Sequence, residues 1–135
     1  MPGDPPSDKP EARERLVVLI AEDEEPIAFV VAMIVEEAGY MPLVAPHGEE
    51  ALKLARTHHP ALLITDLMMP VMDGEQLIQA LEGDAKQDGH SHIPIILTTA
   101  AGDQRAEGVT VDALLRKPFN VKDLEDLLER FLGKA

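Results

Sequence analysis

The chain contains no cysteine, which removes disulfide frameworks and thiolate chemistry and fits a reducing compartment. Positive charge is scarce: 12 Lys and Arg face 25 Asp and Glu, a formal net charge of −13. Such a surface repels phosphate backbones and anionic lipid, so neither direct nucleic-acid binding nor membrane binding is expected. Long hydrophobic runs are missing as well. The longest, IAFVVAMIV at residues 27–35, is about half of the roughly 18 to 20 residues that a membrane span needs, and no basic-then-apolar signal opens the chain. The expectation is a soluble, cytoplasmic protein.

What is present suffices for one folded domain, since 135 residues of 45% apolar composition can bury a sizeable core. Residues 1–14, MPGDPPSDKPEARE, carry four prolines and no apolar periodicity, so they are expected to form a flexible tail, with the domain at residues 15–135. From there, short apolar runs alternate with helical patterns. LVVLIA (16–21), MPLVAP (41–46), ALLITD (61–66), IPIILTT (93–99) and DALLRK (112–117) read as strands. Helices are expected at about 25–38, 48–57, 74–81 and 121–132. LVVLIA, ALLI and IPIIL are continuously apolar rather than alternating, as strands covered on both faces are. The fold class is therefore α/β, a doubly wound five-stranded parallel sheet with helices on both faces.

In such a sheet the loops at the carboxyl ends of the strands converge on one edge, where ligands bind. Glu22 and Asp23 follow the first strand, Asp66 ends the third, Thr98 and Thr99 end the fourth, and Lys117 ends the fifth. A carboxylate at the end of a buried strand is costly without a partner. Three carboxylates at one edge repel one another unless a hard cation lies between them, and an oxygen-rich site of few ligands suits Mg²⁺. With a metal, a Lys and a hydroxyl around it, one carboxylate can act as nucleophile towards a phosphoryl group. His58, His59, His90 and His92 have no second ligand cluster beside them and read as solvated loop residues.

The acidic pair in IAEDEEP, the segment DLMMPVMDG, then IPIILTTA and RKPF, in that order over residues 15–132, resemble a response-regulator receiver domain of two-component signalling. The resemblance implies the flavodoxin-like strand order 2-1-3-4-5 and a Mg²⁺-dependent switch. It makes Asp66 the phosphoacceptor, Asp23 a direct Mg²⁺ ligand, Glu22 an outer ligand through water and the Met68 backbone carbonyl a further ligand. Thr99 and Lys117 would hold the phosphoryl oxygens; Thr98 competes for the hydroxyl role, and the position of the TA pair favours Thr99. The Lys117–Pro118 bond is expected to be cis. Glu24 reads as part of a solvated loop capping the first helix.

Two departures stand out from the family pattern. Leu114 occupies a place usually held by an aromatic ring, and the segment AGDQRAEGVT between the last two strands is short, glycine-containing and nearly without an apolar stripe. A short or missing fourth helix is expected there, with residues 101–110 irregular and ordered by phosphorylation. The partners implied are a histidine kinase or histidine phosphotransfer protein and a downstream protein. The alternative is a phosphate-independent interaction module on the same fold. A true phosphohydrolase would need a general acid where Met68 stands, so the chain is expected to be no turnover enzyme. On the first helix, Ile27, Val30, Val31, Ile34, Val35 and Ala38 are expected to face inward. Ala28, Phe29, Ala32 and Met33 would face outward, with Phe29 and Met33 forming a docking face for a kinase, a phosphotransfer bundle or a second copy of the chain.

Overall fold

The computed structural model describes residues 15–89, 93–100 and 109–133. Five strands and four helices alternate among them: β1 (Val17–Ala21), α1 (Glu25–Glu37), β2 (Met41–Ala45), α2 (Gly48–His58), β3 (Leu62–Asp66), α3 (Gly74–Asp88), β4 (Ile95–Ala100), β5 (Ala113–Lys117) and α4 (Val121–Leu132). All strand pairs are parallel and the order is β2-β1-β3-β4-β5, as the resemblance implies.

Alternation along each strand divides the core into two layers. Leu19, Leu63, Ile95 and Leu97 meet Ala51, Ala55, Leu77 and Ile78 of α2 and α3. Val18, Ile20, Leu62, Ile64 and Ile96 meet Val31, Ile34 and Val35 of α1 and Leu124 and Leu128 of α4 on the other face. Successive strand residues point to opposite faces, so a strand covered by helices on both sides must be apolar throughout. β3 is buried at every position from Leu62 to Asp66, apolar through Ile64 and polar only at Thr65 and Asp66, where it reaches the carboxyl edge.

Local chemistry sets the helix ends. Asp73 caps α3 reciprocally with Gln76: the Gln76 N–H donates to Asp73 Oδ1 at 2.9 Å, and the Asp73 N–H donates to Gln76 Oε1 at 3.0 Å. Asn120 Oδ1 accepts from the Asp123 N–H at 2.8 Å at the start of α4, and His47 Nδ1 accepts from the Glu50 N–H at 3.2 Å at the start of α2. α3 runs to Asp88 rather than ending near Leu81. Its second half is polar and solvated, so no apolar period marks it. It stops only at Gly89, which takes φ +74° and donates its N–H to the Ala85 carbonyl.

The first helix differs from expectation at Ala28 and Val30, and Ala32, expected to face outward, is half-buried against the core. Ala28 is 5% exposed and Val30 is 47% exposed, the reverse of the expected facing. The buried stripe runs through Ala28, Val31, Ile34 and Val35, and Val30 lies about 200° from Ala28 around an α-helix. The expected tail at residues 1–14, and the expected irregular segment at 101–110 except for its last two residues, lie outside the described residues.

Two glycines of α3 separate close approach from mere tolerance. A Cβ on Gly74 would stand 2.4 Å from the Asp66 carbonyl oxygen, whereas one on Gly83 would meet nothing within 4 Å. Gly83→Ala is expected to raise stability by about 1 kcal/mol, the usual cost of glycine in a helix interior. Gly74→Ala is expected to destabilise and to distort the Asp66 loop. Urea unfolding of the two variants checks both signs, and equal midpoints would contradict the close approach at Gly74.

Candidate functional site

The parallel register brings the strand ends together. β1, β3 and β5 end at Ala21, Asp66 and Lys117, and Glu22 follows β1 directly, its N–H donating to the Ala45 carbonyl at 3.0 Å. In that arrangement the Lys117 ammonium donates to Glu22 Oε1 at 3.0 Å and to Asp66 Oδ2 at 3.3 Å. The Lys117–Pro118 peptide is cis. The charge that meets Asp66 is thus an ammonium from the far edge of the sheet.

Both carboxylates are buried, Glu22 at 4% and Asp66 at 6% exposure. Burial raises the Asp66 pKa, opposed by the Lys117 charge and by hydrogen bonds from Lys117 and the N–H groups of Met68 and Leu67. Burial likewise raises Glu22, the Lys117 hydrogen bond opposes it, and the neighbouring Asp66 charge adds to the rise. For Lys117, burial works against the ammonium, but the hydrogen bond to Glu22 and the charges of Asp66 and Glu22 outweigh it and hold its pKa above the ordinary lysine value.

Carboxylate oxygens of Glu22, Asp23, Glu24 and Asp66 lie within 4.8 Å of one another. This all-oxygen donor set fits a hard divalent cation and leaves little room for a soft one. Glu24 is exposed and occupies the cap position of α1, as expected of a solvated loop before that helix; its side chain makes no capping hydrogen bond, and its carboxylate lies within the acidic cluster. Its own N–H instead donates to Glu22 Oε2 at 3.2 Å, which helps to fix that carboxylate.

Thr99 is fully buried near the carboxyl end of β4. Thr98 is occupied elsewhere, its hydroxyl donating to the Thr65 carbonyl at 3.4 Å. Thr65, absent from the sequence candidates, donates its own hydroxyl to the Asp66 carbonyl at 2.9 Å. A polar residue inside the apolar run LLITD was the signal available for it. Met68 follows Asp66 by two residues, its side chain 53% exposed, and the Met72 and Leu67 carbonyls tie the intervening loop to the first residues of α2 and α3. Val71 in this loop holds φ +71°, a conformation that β-branched residues rarely adopt. His58 and His59 lie at the end of α2, away from the cluster, and His90 and His92 lie outside the described residues.

This fold is that of a known family. The response regulator receiver domain profile matches residues 18–129, and the chain belongs to that family, which serves two-component signal transduction. It is 34% identical over 124 residues to histidine kinase P4 of Formosa agariphila, spanning 89% of this chain and 9% of the kinase. It is 32% identical over 126 residues to response regulator Rre1 of Synechocystis sp., spanning 90% of this chain and 53% of the regulator. The chain therefore covers about half or less of these curated relatives. Among solved structures, the receiver domain of a signal transduction histidine kinase from Syntrophus aciditrophicus matches with a TM-score of 0.77 at 31% identity, over 87% of this chain and 90% of that one. Chemotaxis protein CheY4 of Vibrio cholerae matches with a TM-score of 0.76 at 30% identity, over 87% and 99%.

The raised carboxylate pKa values fix the sign of a pH effect in metal-free buffer. A group whose folded pKa exceeds its unfolded value contributes stability that is fully present below the unfolded pKa, about 4 for a carboxylate, and lost as pH rises through the folded value. Asp66→Asn removes one such group. Its stability relative to the parent chain is expected to be near equal at about pH 4 and to grow in its favour as pH rises towards neutrality. Chelator-containing urea titrations at several pH values measure this; a variant that loses ground as pH rises would contradict the burial argument.

Proposed function

We propose that this chain is a phosphorylation-controlled signalling switch: Asp66 accepts a phosphoryl group from the phosphohistidine of a histidine kinase or phosphotransfer protein, and the changed state passes on through protein–protein contact. The observation that carries this reading is the Lys117 ammonium placed 3.3 Å from Asp66 Oδ2 and 3.0 Å from Glu22 Oε1 at the carboxyl edge of the sheet. A carboxylate oxygen of Asp66 attacks phosphorus, an O–P bond forms, and the P–N bond to the donor imidazole breaks. Lys117 is placed to follow the negative charge from the Asp66 carboxylate to the phosphoryl oxygens, and Thr99 is assigned the hydroxyl that donates to them.

A divalent ion, Mg²⁺ by its preference for few hard oxygen ligands, would be held by Asp23, Asp66 and the Met68 carbonyl, with Glu22 acting through water. When bound, it supplies neutralisation of the charge spread over the phosphoryl oxygens. The reading assigns the chain no substrate turnover. It is a phosphoacceptor that assists its own transfer and dephosphorylation, with Met68 standing where a general acid would be needed for hydrolysis of added esters. The absence of a membrane-length apolar helix among the described residues is compatible with the expected cytoplasmic setting.

Partner contact is assigned to the outer face of α1, where Phe29, Val30 and Met33 are 65%, 47% and 44% exposed. Burying such side chains contributes on the order of 1.5 to 3 kcal/mol each. Glu25, Glu36 and Glu37 flank them and no basic residue occupies the last turn of α1. That charge favours the basic helix of a kinase or phosphotransfer bundle over a second copy of a chain carrying −13.

Two outcomes are expected. Acetyl phosphate labels the chain once, only with Mg²⁺ present, and intact-mass measurement shows the label lost in Asp66→Asn and slowed strongly in Asp23→Asn; a labelled Asp66→Asn protein overturns the assignment. The double variant Phe29→Glu with Met33→Glu is expected to lose about tenfold or more in the rate of phosphorylation by a partner while keeping the acetyl phosphate rate. Equal partner rates in variant and parent remove α1 from the docking surface.

A further inference from the structure

A cavity of about 470 Å³ lies at the opposite edge of the sheet from the carboxylate cluster, between the second halves of α2 and α3 and the starts of β3 and β4. Its volume falls within the range of small-molecule sites. Buried core side chains form the floor: Ala55, Pro60 and Ile95. The rim is charged. Arg56 and Asp84 clamp α2 to α3 with a two-point ion pair at 2.8 and 3.1 Å, which uses up one charge of each sign. Glu82 and Asp88 remain on the rim with no hydrogen bond or ion pair among the described residues. An apolar floor under two unspent carboxylates, in a chain of net charge −13, concentrates cations and rejects anions.

We propose that this cavity binds a small organic cation, an amine carried on an apolar body of ring-plus-short-chain size, with the body on the Ala55 and Ile95 floor and the ammonium at the rim that carries Glu82 and Asp88. The site lies apart from the acidic edge but is tied to it mechanically. Both helices that wall it begin at the loop following Asp66: the Gly48 N–H donates to the Met72 carbonyl at 3.2 Å and the Gly74 N–H to the Leu67 carbonyl at 2.8 Å. Gly48 and Gly74 also approach that loop too closely to carry a Cβ, which would stand 2.4 Å from the Met72 carbonyl oxygen on Gly48 and 2.4 Å from the Asp66 carbonyl oxygen on Gly74. A guest that shifts the far halves of α2 and α3 therefore moves elements seated directly on the Asp66 backbone, which makes the cavity an effector site for the acidic edge.

The test is an amide NMR titration of the full chain with 4-phenylbutylamine, beside 4-phenylbutanoate and 4-phenylbutan-1-ol as anionic and neutral controls of the same body. Saturable shifts are expected at Ala55, His59, Ala85 and Ile95 with the amine, weaker ones with the alcohol and none with the acid. Smaller saturable shifts at Gly48 and Gly74 should follow the amine. The surface variant Glu82→Gln with Asp88→Asn should weaken amine binding several-fold and leave alcohol binding unchanged. Absence of saturation at the cavity amides, or equal affinity for amine and acid, overturns the site. Cavity shifts without any response at Gly48 and Gly74 overturn the coupling.

Discussion

The repulsion among carboxylates gathered at one edge of the sheet is the constraint on which the site depends. Glu22, Asp23, Glu24 and Asp66 stand within 4.8 Å of one another, in a protein whose net charge of −13 adds to the strain. Unlike charges must be delivered there from elsewhere in the fold. One is Lys117, at the end of β5, which reaches back to Glu22 and Asp66. Its single positive charge serves two buried carboxylates, and burial raises the pKa of both against the opposing pull of Lys117. A site in this condition gains from any further cation, and in the proposed function it would tolerate a phosphoryl group only with cations around it, which would link metal binding to phosphoryl acceptance.

The sheet makes this possible by spending its apolar character on both faces and its polar character on one edge. Strands apolar through Ile20, Ile64 and Leu97 hold the two helical layers, and the change to Glu22, Asp66, Thr98 and Thr99 comes where each strand leaves the core. The hydroxyls of Thr98 and Thr65 donate separately to the Thr65 and Asp66 carbonyls. They hold the backbone at the end of β3 while the Asp66 carboxylate faces the cluster. Gly74 permits α3 to start directly against that same carbonyl.

Most of the fold and much of the site could be read in the sequence because both follow from strong periodic signals. Continuous apolar runs fix buried parallel strands, and a parallel sheet fixes which ends meet, so Glu22, Asp66 and Lys117 could be placed together before any coordinates. Signals of a weaker kind failed. The polar second half of α3 has no apolar stripe, and only its glycine terminator marks the end. On α1 the residues are apolar nearly all round, so periodicity could not separate Ala28 from Val30. Glu24 sits exposed at the cap position before α1, as its place before a helix suggests, but that its carboxylate also lies beside Glu22 and Asp66 depends on how the loop folds back and is not visible in the sequence. The cavity between α2 and α3 depends on two surfaces distant in sequence, and nothing local announces it.

The measurement that tests the central claim most directly is ¹⁹F NMR of the chain with beryllium chloride and fluoride, with and without Mg²⁺, since beryllofluoride imitates a phosphoryl group on a carboxylate oxygen. The account predicts a bound fluoride signal of one beryllofluoride per chain that needs Mg²⁺, is absent in Asp66→Asn and weakens when Lys117 is replaced by Met. A bound signal of full intensity without the metal, or one that survives Asp66→Asn, would contradict the reading of this edge as a cation-dependent phosphoryl site.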